Sequence, residues 1–181
     1  MRKIILFIAM SLDGYISDSN GNVDWLEEQN NDNENIDTYS GFIKNIDTII
    51  MGWNTYHQIV TQLSPSEWPY TGINTYIITH NKESSSKEIH FTSVSPSELL
   101  KELKTTDGKN IWVCGGADIV QQLIKENLID EYYISVIPIL LGNGIPLFRK
   151  SPVKINLSLK EIRNNNGIAE LFYSKNDEIV S

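Results

Sequence analysis

Thiol chemistry is almost missing: the chain carries one cysteine, Cys114. A lone cysteine excludes an intrachain disulfide, which fits a cytoplasmic protein. Its place in an apolar run makes it a small core residue rather than a nucleophile. Long hydrophobic runs are missing too. None approaches the roughly 20 residues of a membrane span, so no membrane partner is expected. The start "MRKIILFIAMSLDGYIS" is basic and apolar. Its apolar stretch is too short for a signal peptide, and no small-residue cleavage site follows. Residues 4–10 read instead as a buried first strand. Positive charge is scarce, with 15 Lys and Arg against 23 Asp and Glu and a formal charge of −8. That argues against general nucleic-acid binding while leaving room for an anionic ligand in a local pocket. The three histidines show no ligand spacing, and no metal is expected. No repeat, linker or composition break divides the 181 residues, so a single domain over 1–181 is expected.

What is present is alternation. Apolar runs of strand length at 3–10, 47–51, 74–79, 110–114 and 131–138 are separated by helical patterns. Those patterns fall at about 25–30 and 36–45, then at 53–61, 96–104 and 117–126. A short strand is expected near 89–92, and strands at about 155–163 and 168–175 close the chain. "SPSE" at Ser95–Glu98 places Ser at a helix N-cap, Pro at the first helical position and Glu three residues after the cap. "IRNNNGIAEL" has a turn-forming centre between alternating runs and reads as a hairpin. The expected fold is α/β, a mostly parallel central sheet with an antiparallel C-terminal edge hairpin and helices on both faces. The stretch "DWLEEQNNDNENID" at 24–37 holds no Lys or Arg. It reads either as a solvated surface segment or as a flap beside a ligand pocket.

Two strand-to-helix junctions carry the chemistry. In "IWVCGGADIVQQLI" Gly115 and Gly116 stand between an apolar strand and an amphipathic helix. A helix start offers free N–H groups and partial positive charge, and glycine lets a phosphate approach them. The spacing is neither the Rossmann fingerprint nor a P-loop. "TIIMGWNTYHQIV" repeats the design with Gly52 and puts Thr55 in the first helical turn. "NTYIITHN" ends a third strand in Thr79, His80 and Asn81. In open α/β sheets ligands bind beyond the carboxyl ends of strands, so these ends are consistent with one nucleotide lying across them.

With these motifs in view, the chain resembles a family. "MGWNTYHQI" is similar to the MG-x-x-T-aromatic motif of dihydrofolate reductases, and "IWVCGGADIVQQLI" to their Gly–Gly motif. "FIAMSLDGYIS" and "IDEYYISVIPILLGNGIPLF" resemble more closely the reductase domain of the bifunctional riboflavin-biosynthesis deaminase–reductase. The zinc deaminase signature of that enzyme is absent, so the chain would be at most its reductase half. The resemblance implies a dihydrofolate reductase-like fold, NADPH as cofactor, with NADH possible, a small heterocyclic substrate and a homodimer. It implies a cis Gly115–Gly116 bond. It also implies cofactor contacts from Ala9, from Gly52, Asn54 and Thr55, from Thr79, His80 and Asn81, and from Gly115, Gly116, Ala117, Asp118, Ile119 and Val120.

Two positions depart from the family pattern. Trp53 stands where a basic residue is usual after the first-motif Gly, and His80 where Arg is common. Neither supplies a permanent bidentate charge for a 2′-phosphate. Lys82 is the candidate replacement, and the choice between NADPH and NADH stays open. On the substrate side, the resemblance points to Asp13 near a substrate ribose, to Glu27 among the acids Asp24, Glu27 and Glu28 as proton source, and to Ser135 facing the heterocycle. The expected activity is NAD(P)H-dependent reduction resembling that of 5-amino-6-(5-phosphoribosylamino)uracil reductase. Two rivals remain, a true dihydrofolate reductase acting on a pterin and a nucleotide-binding module without catalysis.

Overall fold

The computed structural model describes residues 1–26 and 37–176. In chain order its strands are β1 (Ile4–Ser11), β2 (Tyr15–Ser17), β3 (Ile46–Gly52), β4 (Asn74–Ile78), β5 (Ile89–Thr92), β6 (Asn110–Gly115), β7 (Glu131–Ile137), β8 (Ile145–Pro146), β9 (Leu157–Asn165) and β10 (Ile168–Lys175). The helices are α1 (Thr38–Ile43), α2 (Trp53–Gln58), α3 (Pro96–Lys104) and α4 (Ala117–Lys125). Eight strands form one sheet in the order β5–β4–β3–β6–β1–β7–β10–β9. The pairs from β5 to β7 are parallel, and β10 runs antiparallel to both β7 and β9. This is the expected mostly parallel sheet with an antiparallel edge hairpin.

The central strands are mostly apolar because both faces are covered. Along β1, Ile4 and Leu6 point into a core shared with Leu99 and Leu100 of α3 and with Ile119, Val120 and Leu123 of α4. Ile5 faces the opposite core, with Phe42 of α1, and Phe7 packs against it. Aromatic rings fill that second layer. Phe7 stacks on Phe42 at 4.4 Å between centroids, and Trp112 meets Phe42 and Tyr70 edge-on at 5.5 and 5.2 Å. Such offset and edge contacts add about 0.5–1.5 kcal/mol each beyond area burial.

Local signals set several boundaries. Ser95 caps α3, its Oγ accepting from Glu98 N at 3.2 Å and donating to Glu98 Oε2 at 2.8 Å. The helix expected at 36–45 is shorter. Asp37 caps it by accepting from Ser40 N, and the Asn45 side chain donates to Gly41 O just beyond its end. The helix expected at 53–61 is divided into α2 and a π-turn at Ile59–Leu63, closed by Ser64 N donating to Ile59 O. Of the helix expected at 25–30, the described part is a 3-10 turn, Asp24–Leu26, with Trp25 buried. The rest of it, like most of the acidic segment 24–37, lies outside the described residues. The small β2–β8 sheet was not expected from the sequence. Among the described residues no helix is long and apolar enough to cross a membrane.

Candidate dinucleotide cleft at the carboxyl ends of the strands

The parallel strands β3, β4 and β6 end side by side, and each hands the chain to a turn or helix at the same edge of the sheet. The β3–β6 register slips there: Ile50 pairs with Val113 but Met51 pairs with Gly115, leaving Cys114 as the extra residue. Gly115 takes φ +130°, a region closed to most side chains. The Gly115–Gly116 bond is cis, as the resemblance implied.

Gly52 and Gly116 are the N-caps of α2 and α4, and neither supplies a side-chain cap. First-turn N–H groups are thus left for another acceptor. Space is reserved as well. A Cβ on Gly116 would come 3.4 Å from Thr55 Oγ1, and one on Gly52 would come 3.4 Å from Ile119 Cγ1 and 3.9 Å from Gly116 N. The two helix starts therefore face each other across a gap that side chains would fill.

The gap opens into a cleft of about 960 Å³, at the upper end of the roughly 300–1,000 Å³ usual for ligand sites. The structure brings together in its wall Gly52, Asn54 and Thr55, residues 79–81, and residues 115–119. Thr79 uses its hydroxyl to accept from Asn81 N at 3.0 Å, which shapes the turn after β4. Trp53 also lines the cleft and leans on Tyr56, His57 and Phe91. The floor holds Cys114 and Tyr70. Low-polarity surroundings push the Cys114 thiol up to about 12 and the Tyr70 phenol upward as well. Both stay neutral at physiological pH. Cys114 is thus a neutral floor residue of the cleft as well as a neighbour of the apolar core.

The opposite wall is the turn after β2. Asp18 accepts from Asn20 N and Asn22 N, both at 2.8 Å, and the Gln58 side chain donates to Gly21 O at 2.9 Å, tying this turn to α2. These hydrogen bonds to the ionised form, led by that of Asn22 N, lower the Asp18 pKa. The remaining edge comes from β8 and Arg149.

Other expected site residues lie elsewhere. Val120 is wholly buried in the core, and its N–H is spent on Gly116 O at 3.2 Å. Val120 therefore has no surface to offer a ligand. Ala9 packs against the small core cluster of Trp25, Ile137 and Ile168 and pairs with Ser135 in the β1–β7 ladder, and Ser135 pairs on its other side with Glu170. Asp13 accepts from Ser11 Oγ at 2.6 Å, Leu141 N at 3.2 Å and Gly142 N at 2.7 Å. Those donors, the serine first, hold its carboxyl below the usual range, so it clamps the glycine loop in its charged form. Glu27 lies outside the described residues. Lys82 is absent from the cleft wall, and the cation there among the described residues is Arg149. Sequence reasoning missed Arg149, because nothing local in "IPLFRK" announces that β8 pairs with β2.

Comparison with known proteins places this architecture. The model of the RibD C-terminal domain matches residues 68–167. The uncharacterized protein YwjB of Bacillus subtilis is 38% identical over 173 residues, covering 95% of this chain and 97% of its own. A Shewanella sp. PV-4 protein named for riboflavin biosynthesis has a crystal structure similar to this one, with TM-score 0.83 at 28% identity over 96% of this chain and 99% of the other. The Thermotoga maritima diaminohydroxyphosphoribosylaminopyrimidine deaminase/5-amino-6-(5-phosphoribosylamino)uracil reductase shares the fold, with TM-score 0.68 at 14% identity. That match covers 96% of this chain and 56% of the longer enzyme.

Proposed function

The chain belongs to the RibD C-terminal domain family, and from that premise we propose that it reduces a small nitrogen heterocycle with NADPH. The observation that carries this reading is the gap between the α2 and α4 starts, where Gly52, Gly116 and Thr55 leave room for a phosphate against uncapped N–H groups. The residues present fit a dinucleotide: two glycine N-caps, a hydroxyl between them and a cleft of matching size.

When bound, the cofactor supplies a hydride, and the protein supplies binding, orientation and a dry surface. Backbone N–H groups of 116–119 and the Thr55 hydroxyl would hold the phosphates. Tyr70 and Cys114, both neutral, form an uncharged floor beneath the cleft. Asp13 keeps the 141–142 turn in place through its carboxylate. Ser135 of β7, paired with Ala9 of β1, would face the heterocycle. The substrate class that fits the reading is an aminopyrimidinone carrying a sugar, with a pterin as the competitor.

The test is cofactor consumption, followed as loss of nicotinamide absorbance, with ribosylated aminopyrimidinones and with dihydropterins. Oxidation driven by the pyrimidine supports the reading. Oxidation driven only by the pterin assigns the chain the other substrate. A chain that binds neither NADPH nor NADH refutes it.

A further inference from the structure

Resting on that reading of the cleft, we propose that Arg149 is the cation that reads the dinucleotide's phosphate charge. Among the described residues it is the Arg or Lys in the cleft wall, where positions 53 and 80 offer Trp and His.

Its placement is built rather than incidental. Leu147, two residues before it, is wholly buried and donates its N–H to Gly14 O at 2.9 Å. The Arg149 N–H donates to Gln121 Oε1 at 3.1 Å. Gln121 is 7% exposed, its Nε2 has no partner, and among the described residues this is the one hydrogen bond its side chain makes. A buried amide is costly to leave half satisfied, so its position is explained by what it fixes, the backbone of Arg149. The side chain then reaches across to the first turn of α4, where Nη1 donates to Asp118 Oδ1 at 2.5 Å.

That pairing answers an electrostatic difficulty. Asp118 puts a negative charge beside a helix start otherwise suited to an anion. Arg149 neutralises it. The pair is open to solvent, with side chains 42% and 76% exposed, and exposed pairs are weak. A phosphate offers two or three charged oxygens to the planar guanidinium and competes well for it. The Nε and Nη2 donors have no acceptor among the described residues, so they remain for the ligand.

The test is a nicotinamide-fluorescence titration of wild type, Arg149→Gln and Arg149→Lys with NADPH and, separately, NADH. Arg149→Gln should weaken NADPH about tenfold or more, and Arg149→Lys, which keeps the charge but loses the planar fork, should fall between. A loss confined to NADPH assigns the contact to the 2′-phosphate, and an equal loss for both assigns it to the pyrophosphate. Thermal midpoints should match wild type, because the Gln121 bond is to the main chain. If Arg149→Gln binds both nucleotides within about twofold of wild type, the assignment of Arg149 is wrong although the cofactor reading stands. If wild type binds neither, the cofactor reading itself has failed.

Discussion

Arg2 is a buried cation at the end of the sheet opposite the cleft, and its removal should cost stability without touching the site. Its side chain is 5% exposed and ties the amino ends of β1, β3 and β6 together. It donates to Lys109 O at 2.7 Å, Leu103 O at 3.2 Å, Thr106 Oγ1 at 2.9 Å, Thr48 Oγ1 at 2.5 Å and the Asp47 carboxylate. In Arg2→Met most of these acceptors keep other donors. Leu103 O still receives Thr106 N and Oγ1, and Asp47 still receives Lys109 N and Thr48 Oγ1. The losses are the side-chain donor to the Lys109 carbonyl and the charge partner of Asp47. Breaking a fully buried pair costs about 3–5 kcal/mol, but Asp47 is 35% exposed. The charge term is therefore reduced, and an orphaned carbonyl adds about 1–3 kcal/mol. The sum is about 2–4 kcal/mol, which for a chain of this size lowers Tm by roughly 4–16 °C. Arg2→Lys should fall between, keeping the charge and losing the planar fork. Thermal and urea denaturation measure this directly. An Arg2→Met variant within about 0.5 kcal/mol of wild type would refute the reasoning and show the network to behave like a solvated surface. So would a change in nucleotide affinity in the folded variant, since the site lies at the other end of the strands.

Two further predictions concern the cleft and its supports. Gly52→Ala should fold normally, because φ −83° and ψ 165° suit alanine and the new methyl meets Ile119 at 3.4 Å, an ordinary contact. It should nonetheless weaken NADPH about 10- to 100-fold by displacing one charge-assisted hydrogen bond, and unchanged affinity in a titration would mean that the gap holds no phosphate. Asp13 titrates below its ordinary value when folded. Its clamp therefore contributes stability above the unfolded pKa of about 3.9 and loses it as pH falls through the lower folded value. The difference in Tm between wild type and Asp13→Asn should shrink below about pH 4, and a difference constant down to acid pH would show the clamp to be indifferent to charge.

Much of this was legible in the sequence, for identifiable reasons. The Ser95 cap, the strand-to-helix junctions and the C-terminal hairpin are written in contiguous residues, so propensity and periodicity found them. Gly115–Gly116 and Gly52 drew notice because they stand at strand-to-helix junctions, and the structure shows the places a Cβ would take there closely approached by Thr55 and Ile119. Val120 misled: it follows the glycines closely, but helical rotation turns it into the core. Asp13 stands in a motif that resembles a substrate contact, yet its carboxylate is taken up by a turn some 130 residues away. Arg149 was invisible because its position depends on Leu147, Gln121 and the β2–β8 pairing, none of which is local. Such tertiary placement is where reading by sequence period ends.

The clamp between Asp13 and the 141–142 turn also orders events in time. Leu12 N meets Ile139 O, Leu147 N meets Gly14 O, and Asp13 meets Gly142 N across a separation of 129 residues. Contacts this distant along the chain are entropically late, since nearly all the intervening polypeptide has to be arranged first. On a ribosome the segment carrying Arg149 emerges after β1, β3, β4 and β6 have all been made. The strands that form the cleft floor can therefore pair while its outer edge is still missing. The mouth of the cleft is completed by the chain's last third, which also carries β7, β10 and the core residues Leu123, Ile129, Tyr132, Ile134 and Leu147, so truncation there would cost core and cleft together.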